Sequence, residues 1–254
     1  MDPNTLTSLA HLTWQEAHTV FERRPLILLP VGSLEAHGPH LPLDTDVALS
    51  ISLAESALQV LRAEGREVWI APALPFGVTE FAAPFTGTVS IKAATLRALL
   101  EDVCSSLIHQ GAAGVVLINS HLELAHIQVL REVSKDLSLR LPAPVIFPDH
   151  TRRRWVATLS KEFQDGACHA GSYETSLMMV SRPEAVRPVH RDLPPFQVDL
   201  AQAMRNGAHT FRDAGSELAY FGEPALATPR EGEDLQQRLT EMVVTTVRET
   251  LPSE

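Results

Sequence analysis

The 254-residue sequence predicts an α/β fold of three layers, α/β/α, built on a mostly parallel central sheet. Two observations carry that expectation. Short apolar, branched runs of strand length recur, and each is followed by a longer stretch with apolar residues at helical spacing. No two strand patterns follow one another through a tight turn, so crossover helices must return the chain and cover both sheet faces. Residues 26–31 (LILLPV) read as a buried strand. Residues 46–63 place Val47, Leu49, Ile51, Leu53, Leu58 and Leu61 at helical spacing and end before Gly65. A strand is expected at 68–71, running into Pro72 and Pro75, then a helix at 91–109 opened by Ser90 as a cap and closed by Gly111. The pattern continues with a strand at 115–118, a helix at 124–137, a strand at 145–147 and a helix at 170–180. Residues 183–229 are rich in proline and charge, with a modest helix expected at 198–206. They read as an irregular insertion over the site or a subunit contact, within a single domain spanning 1–254. A closing helix is expected at 233–251.

Composition narrows the function class. A chain of this length buries a large core without needing a second domain. Hydrophobic residues make up 44% of it, yet no run reaches the length that spans a bilayer. A formal charge of −10 argues against nucleic acid, which requires a basic footprint. No basic, apolar leader precedes Thr13, and Cys104 and Cys168 are the only cysteines. Cytoplasmic placement without a structural disulfide is the expectation. Cys168 beside His169 is a poor nucleophile candidate, since adjacent residues rarely face each other.

The chemistry is concentrated in three segments. Glu35 and His37 follow the first strand two residues apart, so an extended backbone aims both to one side. Asp46 returns after a loop stiffened by Pro39 and Pro42 and has two oxygens with which to bridge cations. Imidazole with carboxylate is a ligand set for zinc, manganese or iron, and open positions in such sites activate water. Taken singly, Glu35 and His37 are equally what a solvated, helix-capping loop contains. A second cluster changes the balance. Asn119, Ser120, His121 and Glu123 close another strand pattern, again with imidazole and carboxylate two apart at the strand end where α/β sheets bind ligands. The third segment, His169 to Ser176, offers His169 and Glu174, which read equally as a loop histidine and a helix-capping acid. No Gly-x-Ser-x-Gly elbow presents a serine nucleophile.

Together these segments resemble the creatininase (creatinine amidohydrolase) family. The run Gly32-Ser33-x-Glu35-x-His37-Gly38-x-His40-Leu41-Pro42-x-x-Thr45-Asp46 matches the family pattern without a gap. Asn119-Ser120-His121 matches its second block with Ser120 in place of the usual glycine, and the block from His169 to Ser176 is intact. Phe76-Gly77, Phe85-Thr86-Gly87-Thr88, Gly222-Glu223-Pro224 and Gly232 extend the likeness over nearly the whole chain. The resemblance implies a creatininase-like fold and two divalent metals per chain, zinc first with manganese or iron as alternatives. Glu35, Asp46 and His121 would hold one metal; His37, Asp46 and Glu123 the other, with Asp46 shared. His169 would shuttle protons, Glu174 would support the metals or substrate, and Thr79 would offer a substrate-facing hydroxyl. It further implies a homo-oligomer, often a hexamer in that family.

The resulting expectation is an amidohydrolase that uses water between two metals to cleave a cyclic or linear amide C–N bond of a small molecule, with no membrane or nucleic-acid partner. Creatinine itself is not the expected substrate. Creatinine-cleaving members carry a tryptophan shortly before the His-Ala-Gly block and a tyrosine between the His and Glu of the second. Here residues 163–168 read FQDGAC and the second position is Leu122. Trp155, after three arginines, reads either as a lid over the substrate or as a surface aromatic. Two alternatives stay open: a family peptidase or deformylase acting on a biosynthetic intermediate or modified peptide, and a non-catalytic metal-binding homologue.

Overall fold

Periodicity along the central strands explains the layers. In the computed structural model, which describes residues 7–166, 169–198 and 200–252, strands β1 (Leu26–Val31), β2 (Val68–Ile70), β3 (Gly114–Asn119) and β4 (Val145–Ile146) form one parallel sheet ordered β2-β1-β3-β4. Every residue of β1 and β3 is buried, and alternate residues pack into different cores. Leu26, Leu28, Val116 and Ile118 face one side, where helices α2 (Thr45–Ala63), α7 (Ser172–Ser181) and α9 (Pro229–Thr250) cover them. Ile27, Leu29, Val31, Val115 and Leu117 face the other, under α1 (Trp14–Glu22), α3 (Ala93–His109) and α4 (Leu124–Arg140). A strand covered on both faces reads as a continuous apolar run. Short helices α5 (Arg153–Val156), α6 (Lys161–Gln164) and α8 (Leu200–Arg205) complete the set.

Element positions follow the sequence expectation with instructive exceptions. Helix α1 is an addition to it, started by a capping box in which Thr13 and Glu16 bond each other's backbone N–H. The expected Ser90 cap is not made. Helix α3 begins at Ala93 after Lys92, while the Ser90 hydroxyl accepts from Thr79 N–H (3.0 Å) and donates to the Glu80 carboxylate (2.8 Å). Residues 183–229 hold short 3-10 turns and α8, and contribute Phe211, Ala219 and Phe221 to a third apolar cluster with Ala82. Cys168 lies outside the described residues. Among them, no helix is long and apolar enough to cross a membrane.

The outer edge of β4 is closed by side chains. The Ser138 hydroxyl accepts from Val145 N–H (3.0 Å) and donates to its carbonyl (3.0 Å), and Ser134 also donates to that carbonyl (2.7 Å). Removing Ser138 strands a buried N–H, whereas removing Ser134 leaves the carbonyl a second donor. Ser138→Ala is therefore expected to cost about 1–3 kcal/mol of unfolding free energy and Ser134→Ala distinctly less. Urea denaturation compares them, and equal losses would refute this division.

Candidate metal centre

Neighbouring strands β1 and β3 deliver their carboxyl-end residues to one place. An ideal Cβ on Gly32 would stand 2.8 Å from the Val47 nitrogen. Only glycine there lets the first turn of α2 lie against the end of β1, and that contact brings Asp46 beside Glu35 and His37. At the end of β3, Asn119 turns the chain by donating its side-chain amide to the His121 carbonyl (2.7 Å). Glu35, His37, Asp46, His121 and Glu174 are all at most 2% exposed.

Their polar atoms converge. Asp46 Oδ1 lies 3.2 Å from His37 Nε2, and Oδ2 lies 3.0 Å from His121 Nδ1. Glu35 Oε1 is 3.3 Å from His121 Nδ1, and Glu174 Oε2 is 3.6 Å from His37 Nε2. Two three-donor groups result, Glu35–Asp46–His121 and His37–Asp46–Glu174, which share Asp46. A third, Glu35–His37–His169, overlaps both.

The imidazoles show what these groups fit. His37 directs Nδ1 at the Glu35 carbonyl (3.1 Å), His121 directs Nε2 at the Val78 carbonyl (2.7 Å), and His169 directs Nε2 at the Ala36 carbonyl (2.9 Å). Carbonyls only accept, so each ring spends its N–H there and the opposite nitrogen of a neutral ring carries a lone pair. Those lone pairs face carboxylate oxygens, an arrangement that needs a proton or a cation between them. His37 Nε2 and both Asp46 oxygens, all buried, make no hydrogen bond despite their short separations. Separations of 3.0–3.6 Å match the ~3.3 Å between ligands of one tetrahedral ion with bonds near 2.0–2.1 Å. The residues fit a pair of divalent cations.

Without a cation, protons carry the compensating charge. Burial opposes the charge on His37, but Asp46, Glu174 and Glu35 lift its pKa to about 10. His121 is raised well above its ordinary value against burial by Glu35 and Asp46. Burial opposes the charge on Asp46, yet His37 and His121 outweigh it and hold the carboxyl far below the carboxylate range. Burial, with Asp46 and Glu35 nearby, pushes Glu174 up to about 8 despite His37. Burial and then His37 push His169 down to about 4, keeping it neutral.

Supporting residues outside the motif hold these rings. Thr79 is fully buried, and its hydroxyl donates to Glu35 Oε2. His126 accepts from Val78 N–H at Nδ1 (3.3 Å) and directs Nε2 at Asn119 Oδ1 (3.0 Å), with its ring 4.7 Å from that of His121. Sequence reasoning missed His126, whose signal was a histidine on the apolar side of α4 beside Ile127 and Leu130.

Above the centre lies a cavity of about 70 Å³ walled by Phe81, Leu122, Phe211 and Phe221, with His169, Glu174 and Glu123 on its lining. Glu123 stands outside the three converging groups; its oxygens accept from the Glu80 and Phe81 N–H groups (3.2 Å each). Trp155 sits elsewhere, in α5, under the Arg154 guanidinium (4.6 Å) and on the wall of a separate cavity beside β4. The structure thus brings together Glu35, His37, Asp46, His121, His169 and Glu174, and sets Glu123 beside them, Thr79 behind them and Trp155 apart.

Comparison with known proteins agrees with this architecture. The creatininase family model, described as creatinine amidohydrolase, matches residues 10–247. The mycofactocin precursor peptide peptidase of Mycolicibacterium smegmatis is 32% identical over 218 residues, covering 82% of this chain and 78% of that one. Creatinine amidohydrolase of Pseudomonas putida is 28% identical over 200 residues, covering 70% and 73%. A solved creatininase in a manganese form superposes with a TM-score of 0.73 at 21% identity, over 98% of this chain and 100% of that one. A mutant creatininase of Zn–Zn type gives 0.73 at 21% identity, over 98% and 99%. With its fold, its motif residues and a family match over nearly its full length, the chain belongs to the creatininase family of hydrolases.

Proposed function

We propose that this protein is a hydrolase dependent on two divalent cations per chain, zinc first with manganese or iron as alternatives, and that it cleaves a linear, peptide-type amide bond. The observation that carries the proposal is the shared Asp46 carboxylate, buried without a hydrogen bond between two imidazole lone pairs. Glu35, Asp46 and His121 would hold one cation, and His37, Asp46 and Glu174 the other. Bound cations supply Lewis acidity, which lowers the pKa of water and polarises a carbonyl.

The chain's own residues supply the remainder. Hydrolysis adds water to the amide carbon, breaks the C–N bond and leaves a water proton on the departing nitrogen. In this reading His169 moves that proton. Its Nε2–H is tied to the Ala36 carbonyl, its ring lies 4.3 Å from that of Phe211 at a tilt of 37°, and Nδ1 alone is left to take the proton and return it. Phe81, Leu122, Phe211 and Phe221 exclude water from the reacting amide and seat an apolar group beside it.

Two features favour a peptide-type substrate. One is the likeness to a peptide peptidase over 82% of the chain. The other is that Leu122 on the cavity wall is aliphatic and Trp155 lies apart from it, so the ring positions expected of a creatinine-cleaving site are not filled there. A cyclic amide is the second reading, favoured by Glu123 on the same cavity wall and by the likeness to creatinine amidohydrolase.

A panel of short peptides, formamides and creatinine, assayed on protein stripped by a chelator and reloaded with zinc or manganese, tests the proposal. Peptide hydrolysis is expected to return with metal, with creatinine turnover lower by at least about tenfold, the scale of a mismatched apolar pocket. Faster turnover of creatinine would favour the second reading, and full activity in the stripped protein would end the metal-dependent one. His169→Ala is expected to keep its metal content by elemental analysis and lose about a hundredfold in turnover. Unchanged turnover would make His169 a bystander.

A further inference from the structure

Helix α7 carries Glu174 in its first turn but has no cap of its own. Its N-cap position is Gly171, which has no side chain to offer. The cap comes from another element. Glu162, in α6, accepts from the N–H groups of Ser172 (3.0 Å) and Tyr173 (2.8 Å). The same carboxylate accepts from the Glu223 N–H (2.7 Å). One carboxylate therefore ties three segments together, α6, the start of α7 and the strand-like stretch after Phe221. Among the described residues no cation pairs with it; the N–H groups and the positive end of α7 stabilise its charge.

Those segments are the ones that place the cavity's chemistry. Phe221 N–H donates to the His169 carbonyl (2.7 Å), and Ala170 N–H donates to Glu174 Oε2 (2.6 Å). Shifting the start of α7 would move Glu174 against His37 and, through Ala170 and Phe221, the ring of His169. We infer that Glu162 is a positioning residue that sets Glu174 and His169 against the metal centre by capping α7 and pinning the 221–223 stretch to it. The inference rests on the reading of Glu174 as a metal ligand. A built-in control exists at Gly171, where an ideal Cβ would stand 2.5 Å from both Glu162 oxygens. Its φ of −85° is open to any residue, so Gly171→Ala displaces the Glu162 carboxylate without altering it.

Glu162→Ala, Glu162→Gln and Gly171→Ala form the test set, and the milder two keep the test open if the first does not fold. Hydrogen exchange on metal-free protein is expected to show the Ser172, Tyr173 and Glu223 amides losing protection in Glu162→Ala and Gly171→Ala, with β1 and β3 unchanged. Zinc titration of the same proteins is expected to show one of two sites weakened by about tenfold or more, with Glu162→Gln in between. With peptide substrate, kcat is expected to fall while KM stays near the parent value. Lost protection with both zinc affinities and kcat unchanged would overturn the inference, leaving Glu162 a plain helix cap. Equal weakening of both sites would overturn it too. A parent protein that binds no zinc would count against the proposed function instead, since the exchange result is read without metal.

Discussion

Each of three imidazoles commits its one N–H to a main-chain carbonyl, and the rest of the centre depends on that. His37, His121 and His169 are held by Glu35, Val78 and Ala36 carbonyls, so their second nitrogens are turned inward onto Glu35, Asp46 and Glu174. A buried carboxylate costs several kcal/mol unless its charge is met. Three of them within one cluster demand positive charge at the place where the lone pairs point. Protons on His37, on His121 and on Glu174 itself meet that demand in the cation-free protein, and divalent cations would take their place. Orientation of the rings by backbone is what distinguishes a ligand set from a chance salt-bridge cluster.

The scaffold places these groups at the ends of its central elements. β1 and β3 are the central pair of a parallel sheet buried on both faces, and Asp46 belongs to the first turn of the nineteen-residue α2. A carboxylate there is favoured by the helix dipole as well as by its imidazole neighbours. Behind this layer stands a second, in which Thr79 holds Glu35, Asn119 and His126 hold the turn at His121, and Glu162 holds α7. By contrast, the cavity walls come partly from residues 183–229, a stretch of short 3-10 turns with one six-residue helix.

How much of this was readable in the sequence followed the range of each interaction. Strands 26–31 and 115–118 announced themselves because burial on both faces makes every residue apolar. The motif from Gly32 to Asp46 was readable because its spacing and its glycines serve one local turn. Ser90 was not readable as a partner of Thr79 and Glu80, since a serine before a helix signals a cap wherever it stands. The direction of Thr79, the distance of Trp155 from the cavity and the engagement of Glu123 with the 80–81 amides all arise from contacts 40 or more residues apart or from packing of short helices. His126 and Glu162 escaped for the same reason, because each looks like an ordinary residue of its own helix.

Anomalous diffraction from crystals of metal-loaded, active protein tests the central claim most directly. Two peaks are expected on either side of Asp46, one about 2.0–2.2 Å from Glu35, Asp46 and His121 and the other at the same distance from His37, Asp46 and Glu174. A second peak bound by Glu123 instead of Glu174 would redraw the ligand set. Active crystals with no peak at Asp46 would contradict the metal centre outright.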